Sequence, residues 1–300
     1  MLRPGIVPLL LVIAAPLDGA TTYVGAAACG GCHRAEFAGQ SRGGHAHALA
    51  PSGPGQPGDW AFGAGLQAIT FLKREDRFTY RELGETWYRT LNGYGRTPGH
   101  KADGGVAFRT FDPAARILRC FACHSTGPVT LGKEEAVGPH ELGVRCEVCH
   151  GAGSDHVRDP SANRLRTPAQ MTAVQMNAFC RQCHRLDLAG GEELTDVANP
   201  WILRSPTRLL AASPCFQQSQ GRLNCITCHA PHAPLEQDLA AYDATCRKCH
   251  AAPRHSRPVA NQACAGCHMP IVRLDNLVFT NHRIATYGGS SPLVPVSGRR

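Results

Sequence analysis

The sequence predicts a mainly α-helical chain with little regular structure, a small antiparallel β insert, and an interior filled by something other than side chains. Three observations support this prediction. Aromatic residues make up only 6% of the 300 residues, which leaves few large apolar side chains to offset the conformational entropy lost on folding. The 32 glycines and 22 prolines interrupt long helices and strands. The 15 cysteines and 15 histidines exceed what a conventional core needs.

Fourteen of the cysteines form C-x-x-C pairs, and a histidine follows each pair. The paired cysteines are Cys29, Cys32, Cys120, Cys123, Cys146, Cys149, Cys180, Cys183, Cys225, Cys228, Cys246, Cys249, Cys264 and Cys267. The histidines that follow are His33, His124, His150, His184, His229, His250 and His268. Zinc ribbons need four ligands per metal and have no use for this histidine. A redox dithiol usually occurs once, and a disulfide framework does not favour one spacing throughout.

C-x-x-C-H is instead the attachment signature of c-type haem. The two thiols form thioethers with the vinyl groups on one edge of the porphyrin, and the imidazole of the next residue lies beneath the ring and reaches the iron. The sequence therefore predicts seven covalently bound haems and the haem-packed fold of a multihaem cytochrome c. The remaining thiol, Cys215, is expected to be buried and inert, and a reactive exposed thiol is the alternative.

Eight further histidines are candidates for the sixth coordination position of the haem irons. They are His45, His47, His100, His140, His156, His232, His255 and His282. His45 and His47 lie in one H-x-H stretch and are expected to offer one ligand between them, which leaves seven candidates for seven haems. This count predicts mostly bis-His ligation and low reduction potentials, with Met171 or Met176 as a substitute at one site. His140 and His255 have the least local support.

The spacing of the motifs divides the chain into regions. A signal peptide is expected over residues 1–20, where a short apolar stretch follows Arg3. Residues 21–118 are expected to hold the first haem and the β insert, residues 119–287 six haems, and residues 288–300 a disordered tail.

The β insert is predicted from three short segments rich in β-branched and aromatic residues and separated by turns, at 68–74, 77–82 and 85–90. It is expected to cover the first haem, and a docking or ligand-supplying role through His100 is the alternative. The six-haem region is predicted to form short helices and loops, for example within 169–185 and 235–249. Without the signal peptide the chain has only about 40 residues per haem. Neighbouring macrocycles are therefore expected near contact, in a row that passes electrons.

The formal net charge of +8 would ordinarily indicate an acidic partner or a nucleic acid. A ferric bis-His haem with two ionised propionates adds roughly −1, so seven haems cancel most of that charge, and nucleic-acid binding is rejected.

The cysteine content and the haem attachment predict a periplasmic or extracellular protein. No stable membrane anchor is expected, because the apolar stretch is shorter than the roughly 20 residues that a spanning helix needs.

Several motifs resemble those of exported multihaem cytochromes in the superfamily of the nitrifier tetrahaem cytochrome and hydroxylamine oxidoreductase. The similar segments are Tyr23-Val-Gly before the first motif with His45 and His47 after it, the third motif with Gly-x-Gly-x-x-His156, the fifth with x-Pro-His232, the seventh with Met269-Pro, and Phe279-Thr-Asn-His282-Arg-Ile. The resemblance covers about residues 22–285. It implies a mostly α-helical chain around stacked haem pairs, electron transfer, and His156, His232 and His282 as distal ligands.

The sequence also departs from the enzymes of this group. No lysine replaces the histidine of any motif, as it does at the catalytic haem of the pentahaem nitrite reductases, and the cross-linking tyrosine of hydroxylamine oxidoreductase has no counterpart that we can place. We therefore assign no catalytic residue. The favoured function is electron transfer between redox proteins, such as a quinol-oxidising membrane module and a terminal reductase or another cytochrome. The alternatives are a reductase or oxidase of a small nitrogen or sulfur compound at one five-coordinate haem, and a structural role in a haem filament.

Overall fold

The computed structural model describes residues 20–100, 105–112, 116–185, 195–251, 255, 262–288 and 291–296. These residues form a six-stranded antiparallel sheet, two two-stranded sheets and a series of short helices. The predicted signal peptide lies outside the described residues except for Ala20. None of the helices in the described ranges is long and apolar enough to cross a membrane.

The helices are short because glycine, proline and the loops between motifs interrupt them. The α-helices are α1 Ala26–Gly30, α2 Arg34–Ser41, α3 Arg116–His124, α4 Cys146–His150, α5 Ser154–Arg158, α6 Ala173–Arg181, α7 Pro206–Ala211, α8 Pro214–Gln218, α9 Cys225–Cys228, α10 Asp243–Arg247 and α11 Cys264–His268. Turns of 3-10 helix span Gly44–His47, Lys133–Glu135, Pro168–Gln170, Pro200–Arg204 and Leu239–Tyr242. Helix α6 begins with a capping box of Thr172 and Gln175 and lies within residues 169–185, where the sequence predicts a helix.

The strands of the large sheet all lie between the first and second motifs. They are β1 Leu49–Pro51, β2 Trp60–Phe62, β3 Ala68–Arg74, β4 Thr79–Tyr88, β5 Gly93–Arg96 and β6 Val106–Arg109. The order is β1-β2-β3-β4-β5, and β6 pairs with the first half of β4. The predicted strand at 68–74 is present with those bounds, in a sheet that is larger than predicted.

The two strands predicted at 77–82 and 85–90 form a single strand, β4. Both halves pair with β3, through Leu72–Glu82 and Thr70–Thr86, and the register shifts between these pairs. The Leu83-Gly84 break in the sequence pattern is therefore an irregularity within one strand and not a turn. A bulge of this kind keeps a strand paired on both sides of the extra residues.

The large sheet packs against helix α3, which carries the second C-x-x-C-H motif. Ile117 and Phe121 of this helix are fully buried. The Phe121 ring meets Trp60 and Phe62 edge-on, with centroid distances of 5.2 and 5.1 Å. The β insert thus packs around the second motif, whereas the sequence led us to expect a cover for the first.

Phe121→Ala should destabilise the protein strongly, because the ring sits at the contact between the sheet and α3. Removing a fully buried Phe typically costs about 3–5 kcal/mol, since a cavity remains. The free energy of unfolding from chemical denaturation of the holoprotein measures this loss. Phe111→Ala is the matched control, because the Phe111 side chain is 62% exposed, and it should cost far less. Equal losses in the two variants would contradict this account of the core.

Two hairpins lie in the six-haem region, where the sequence predicts helices and loops. One pairs β7 Ser125–Leu131 with β8 Val137–Leu142, and the other pairs β9 Ile271–Leu274 with β10 Leu277–Thr280. Glycine and proline inside β7 and β8 hide the alternation of apolar and polar residues by which strands are predicted. The chain therefore combines short helices with antiparallel sheets.

A second core lies near the C-terminal end of the chain. Ile202, Leu203 and Leu209 are buried against Val272, and Leu293 packs onto this cluster. The Val296 N–H group donates to the Thr286 carbonyl. Of residues 288–300, which the sequence predicts to be a disordered tail, the structure describes residue 288 and residues 291–296.

Candidate haem-binding site

Each C-x-x-C-H motif lies in or directly follows a short helical turn. The helices that carry the motifs are α1, α3, α4, α6, α9, α10 and α11. The histidine N–H donates to the carbonyl of the first cysteine, for example at 2.9 Å from His33 to Cys29 and at 2.9 Å from His184 to Cys180. Residues four apart lie on the same side of a helical turn. The first thiol and the imidazole of a motif therefore project to the same side, as haem attachment requires.

A cavity of about 3620 Å³ runs through the described part of the protein. It is lined by cysteines and by the histidine of six motifs, the first and the third to seventh. A pocket for one small-molecule ligand measures about 300–1,000 Å³. The cavity is thus large enough for several cofactors, and the apolar porphyrin faces would fill it beside the two side-chain cores.

Within this cavity, five motif histidines each face one of the candidate distal histidines. The ring-centroid distances are 6.3 Å for His33–His156, 5.8 Å for His184–His45, 6.0 Å for His150–His232, 6.1 Å for His229–His282 and 6.2 Å for His268–His255. Two metal–imidazole bonds of about 2.0–2.1 Å would place the facing nitrogens about 4 Å apart and the ring centroids roughly 6 Å apart. Each pair therefore has room for one iron between its two rings.

Hydrogen bonds orient several of these rings. The Nδ1 atom lies close to a backbone carbonyl in five histidines: His124 to Ala48 at 2.9 Å, His150 to Arg166 at 2.9 Å, His156 to Asn163 at 2.8 Å, His268 to Ala285 at 2.8 Å and His282 to Thr280 at 3.0 Å. A carbonyl can only accept, so Nδ1 carries the proton and Nε2 is the bare nitrogen. This is the usual way in which proteins orient a metal-binding histidine.

Burial keeps the most enclosed imidazoles neutral, and the neutral ring is the form that binds a metal. The pKa of His184 falls to about 4, first because the ring is enclosed by protein and then because His45 and His229 lie nearby. The pKa of His282 also falls to about 4, mainly through burial. Although protein encloses the His45 and His184 rings, their surfaces are open to the cavity. The Nε2 atoms of these two rings face each other at 3.5 Å.

Three candidate distal histidines are not paired with a motif histidine in the described structure. His100 Nε2 lies 3.1 Å from the Glu82 carboxylate, and the His100 side chain is only 3% exposed. The His140 ring lies beside Tyr23. His47 is exposed and does not line the cavity, whereas its neighbour His45 does.

Two motif histidines have no facing imidazole among the described residues. His124 of the second motif is held by the Ala48 carbonyl and lies 5.3 Å from the Phe62 ring, outside the large cavity. His250 of the sixth motif lines the cavity. The sequence predicts one distal histidine for each of seven haems. The described residues contain five facing pairs of a motif histidine and a distal candidate.

Cysteine thiols of different motifs contact one another. The contacts join Cys29 to Cys146, Cys123 to Cys183, Cys180 to Cys225, and Cys246 to Cys264. Cys149 also lies near Cys183, and Cys228 near Cys246. These neighbours arrange the motifs in the series first, third, fourth, fifth, sixth, seventh. The second motif joins this series as a branch at the fourth.

Cys215, Met171 and Met176 are the sulfur-containing residues outside the motifs that the sequence analysis singled out. Burial raises the pKa of the Cys215 thiol, which lines the cavity near Cys228. Met176 is buried with its sulfur 3.8 Å from the Cys180 thiol, and Met171 lies outside the large cavity.

Sequence reasoning missed several residues of this site. The buried Glu147 accepts N–H groups from residues more than 120 positions earlier in the chain. Arg204, outside any motif, lies within electrostatic reach of His124 and Glu82. Gly39 allows helix α2 to approach the backbone of His232. Of these residues, only Glu147 could have been singled out from the sequence, because it lies inside a motif. Its position does not reveal which N–H groups it binds.

The fold and the facing histidines together define a protein built to hold several c-type haems. The profile of the cytochrome c554 and c-prime family matches residues 100–151, which include the second and third motifs. Two solved structures share the fold. The outer cell wall cytochrome OcwA aligns with a TM-score of 0.55 and 15% identity over 87% of this chain and 79% of that chain.

The second structure is an undecahaem cytochrome from the S-layer of Carboxydothermus ferrireducens. Its TM-score is 0.52 at 14% identity, and the alignment covers 89% of this chain and 52% of that chain, so this chain spans about half its length. No curated protein matches the sequence. The chain thus has the fold of a multihaem c-type cytochrome.

Proposed function

We propose that this chain is an exported electron-transfer cytochrome with seven covalently bound c-type haems, at least five of them with two histidine ligands. The observation that carries the proposal is the set of five facing histidine pairs, each with one member from a C-x-x-C-H motif. Two histidines on an iron leave no coordination position for a substrate. Such sites are suited to passing electrons and not to binding small molecules.

The thiol contacts support a continuous path. Bound haem supplies the one-electron chemistry of iron, and the cysteines that contact across motifs hold successive attachment sites side by side. The series has three ends, at the first, second and seventh motifs, and its junction is the fourth. Redox proteins are the partners that this arrangement suits. The cell-wall and S-layer locations named for the two similar structures support a periplasmic or extracellular site for this chain as well.

The experiment begins with the intact holoprotein. The mass of the denatured protein should show seven added haems, and a spectroscopic redox titration should place most of them at low potentials. A substoichiometric electron donor should then reduce haems beyond the one that it reaches first. A haem count well below seven, or electrons confined to single haems in stopped-flow traces, would contradict the proposal.

A second candidate function, reduction or oxidation of a small compound, is favoured by one observation. Among the described residues, the His124 ring has no facing imidazole, and Glu82 and Arg204 act on Cys120 and His124 of the second motif. Arg204 lies within electrostatic reach of both His124 and Glu82, and Glu82 holds His100. An open coordination position within electrostatic reach of a guanidinium would favour a small anion such as nitrite.

Arg204→Leu tests this second function. If an anion binds the iron at the second motif, the oxidised protein should show a high-spin electron paramagnetic resonance signal that nitrite alters. The substitution should weaken nitrite binding about tenfold or more, because a charge-assisted hydrogen bond is lost. Arg158→Leu is the control, since the Arg158 side chain is 74% exposed and pairs with Asp155. A nitrite response that is absent, or unchanged in Arg204→Leu, would exclude this role.

A further inference from the structure

Glu147 is a buried carboxylate inside the third motif, between the two cysteines that attach the haem. The residue is only 2% exposed. Its carboxylate accepts the N–H groups of Val24 at 3.0 Å, Gly25 at 2.8 Å and Gly153 at 2.8 Å. An ionised carboxylate is an acceptor only, so three converging donors suit its charged form. Glu147 therefore joins the third motif to the segment that leads into the first.

A second carboxylate extends this junction. The Glu141 side chain accepts the Ala26 N–H at 2.9 Å, so two glutamates bind three successive N–H groups at the beginning of helix α1. That helix contains Cys29 of the first motif. The Arg145 guanidinium stands 3.9 Å from Glu141. The groups that bind Glu147 are instead backbone N–H groups, which stabilise a charge without cancelling it.

The first and third attachment sites meet beside these carboxylates. The pKa of the Cys29 thiol rises to about 11, first because the thiol is buried and then because Cys146 and Glu147 are close to it. Glu141 acts in the same direction. Glu147 thus acts on the first site from its place inside the third motif, whereas Glu141 acts on both Cys29 and Cys146 and is opposed at Cys146 by Arg145. Low dielectric in the protein interior makes such electrostatic effects strong.

We propose that the negative charge of Glu147 lowers the reduction potentials of the haem pair at the first and third motifs. This pair is then the low-potential end of the electron path. Reduction adds an electron, so a fixed negative charge nearby stabilises the oxidised form and lowers the potential. Electrons then enter at this end and run downhill through the fourth motif toward the second and seventh. This inference rests on the proposed function, because it requires haems at both motifs.

Glu147→Gln is the test, since it removes the charge and nearly keeps the shape. Spectroscopic redox titration of the holoprotein should show the lowest-potential component shifted upward, with the other components unchanged. The expected shift is about a tenfold change in the reduction equilibrium, which is about 59 mV for one electron. Glu141→Gln should move the same component by less. Glu85→Gln is the control, because this carboxylate is exposed on the β insert, and it should move none.

The haem content of each variant and its full reduction by dithionite separate this inference from the electron-transfer function itself. Seven haems that all reduce, with an unshifted lowest component in Glu147→Gln, would overturn the role of the charge and leave electron transfer intact. An equal shift of every component would also overturn it, because the Glu147 charge lies beside one haem pair and should act mainly on that pair. If Glu147→Gln fails to mature, the Glu141→Gln titration decides by the same criterion.

Discussion

Replacing His45 with alanine should convert the haem proposed at the fourth motif from low-spin to high-spin iron, while the same change at His47 should have no such effect. The two residues share one H-x-H stretch, and the sequence gives no reason to separate them. In the structure His45 lines the cavity and its Nε2 atom faces His184 Nε2 at 3.5 Å, whereas His47 does not line the cavity. Removal of His45 would leave the iron at the fourth motif with His184 as its one histidine ligand.

Electron paramagnetic resonance of the oxidised variants measures this change directly. Between one seventh and one fifth of the low-spin intensity should be lost in His45→Ala, for seven or five bis-His haems, and His47→Ala should match the wild type. Because every route between the three ends passes the fourth motif, His45→Ala should also slow electron transfer between the ends in stopped-flow reduction. If His47→Ala produced the high-spin signal, or if neither variant did, the pairing of His45 with His184 would be wrong.

Gly39→Ala should destabilise the protein and disturb the haem at the third motif, although Gly39 is not a ligand. A Cβ atom at this position would lie 2.0 Å from the carbonyl oxygen of His232, a distance that requires the backbone to move. Forcing extra atoms into a packed site typically costs about 1–3 kcal/mol. The displaced loop carries His232, whose ring stacks at 6.0 Å from His150.

Chemical denaturation measures the loss of stability. Electron paramagnetic resonance measures the disturbance at the third motif, as a high-spin signal that appears when His232 moves away from the iron. Gly132→Ala is the control, because Gly132 has φ −82° and its Cβ would meet only the Ala136 carbonyl, at 3.6 Å. We expect the control to remain within about 0.5 kcal/mol of the wild type, as surface substitutions usually do. A Gly39→Ala protein of unchanged stability with all low-spin signals retained would show that α2 does not hold the His232 loop in place.

The β insert shows which features of a sheet local sequence patterns predict and which they do not. The segment at 68–74 was predictable because its β-branched and aromatic residues are contiguous, and β3 has those bounds. The Leu83-Gly84 pair reads as a turn in sequence, yet β4 continues through it because β3 pairs with both halves. Pairing with another strand is a long-range interaction, so it can override a local break that sequence alone presents as decisive.

The motifs themselves were determined by the sequence, because the chemistry that attaches a haem is contained in five consecutive residues. Their number, the candidate histidines and the expected absence of a conventional core all followed from residue counts and spacing. The tertiary structure alone decided which histidines meet, since His45 and His184 are 139 residues apart, and it separated His45 from His47 within one short stretch. It also brought Glu147 to the start of α1 and, within the described residues, placed Phe62 rather than a second imidazole beside His124. These relations depend on how the helices and the sheet pack in three dimensions, and no local pattern of residues encodes that packing.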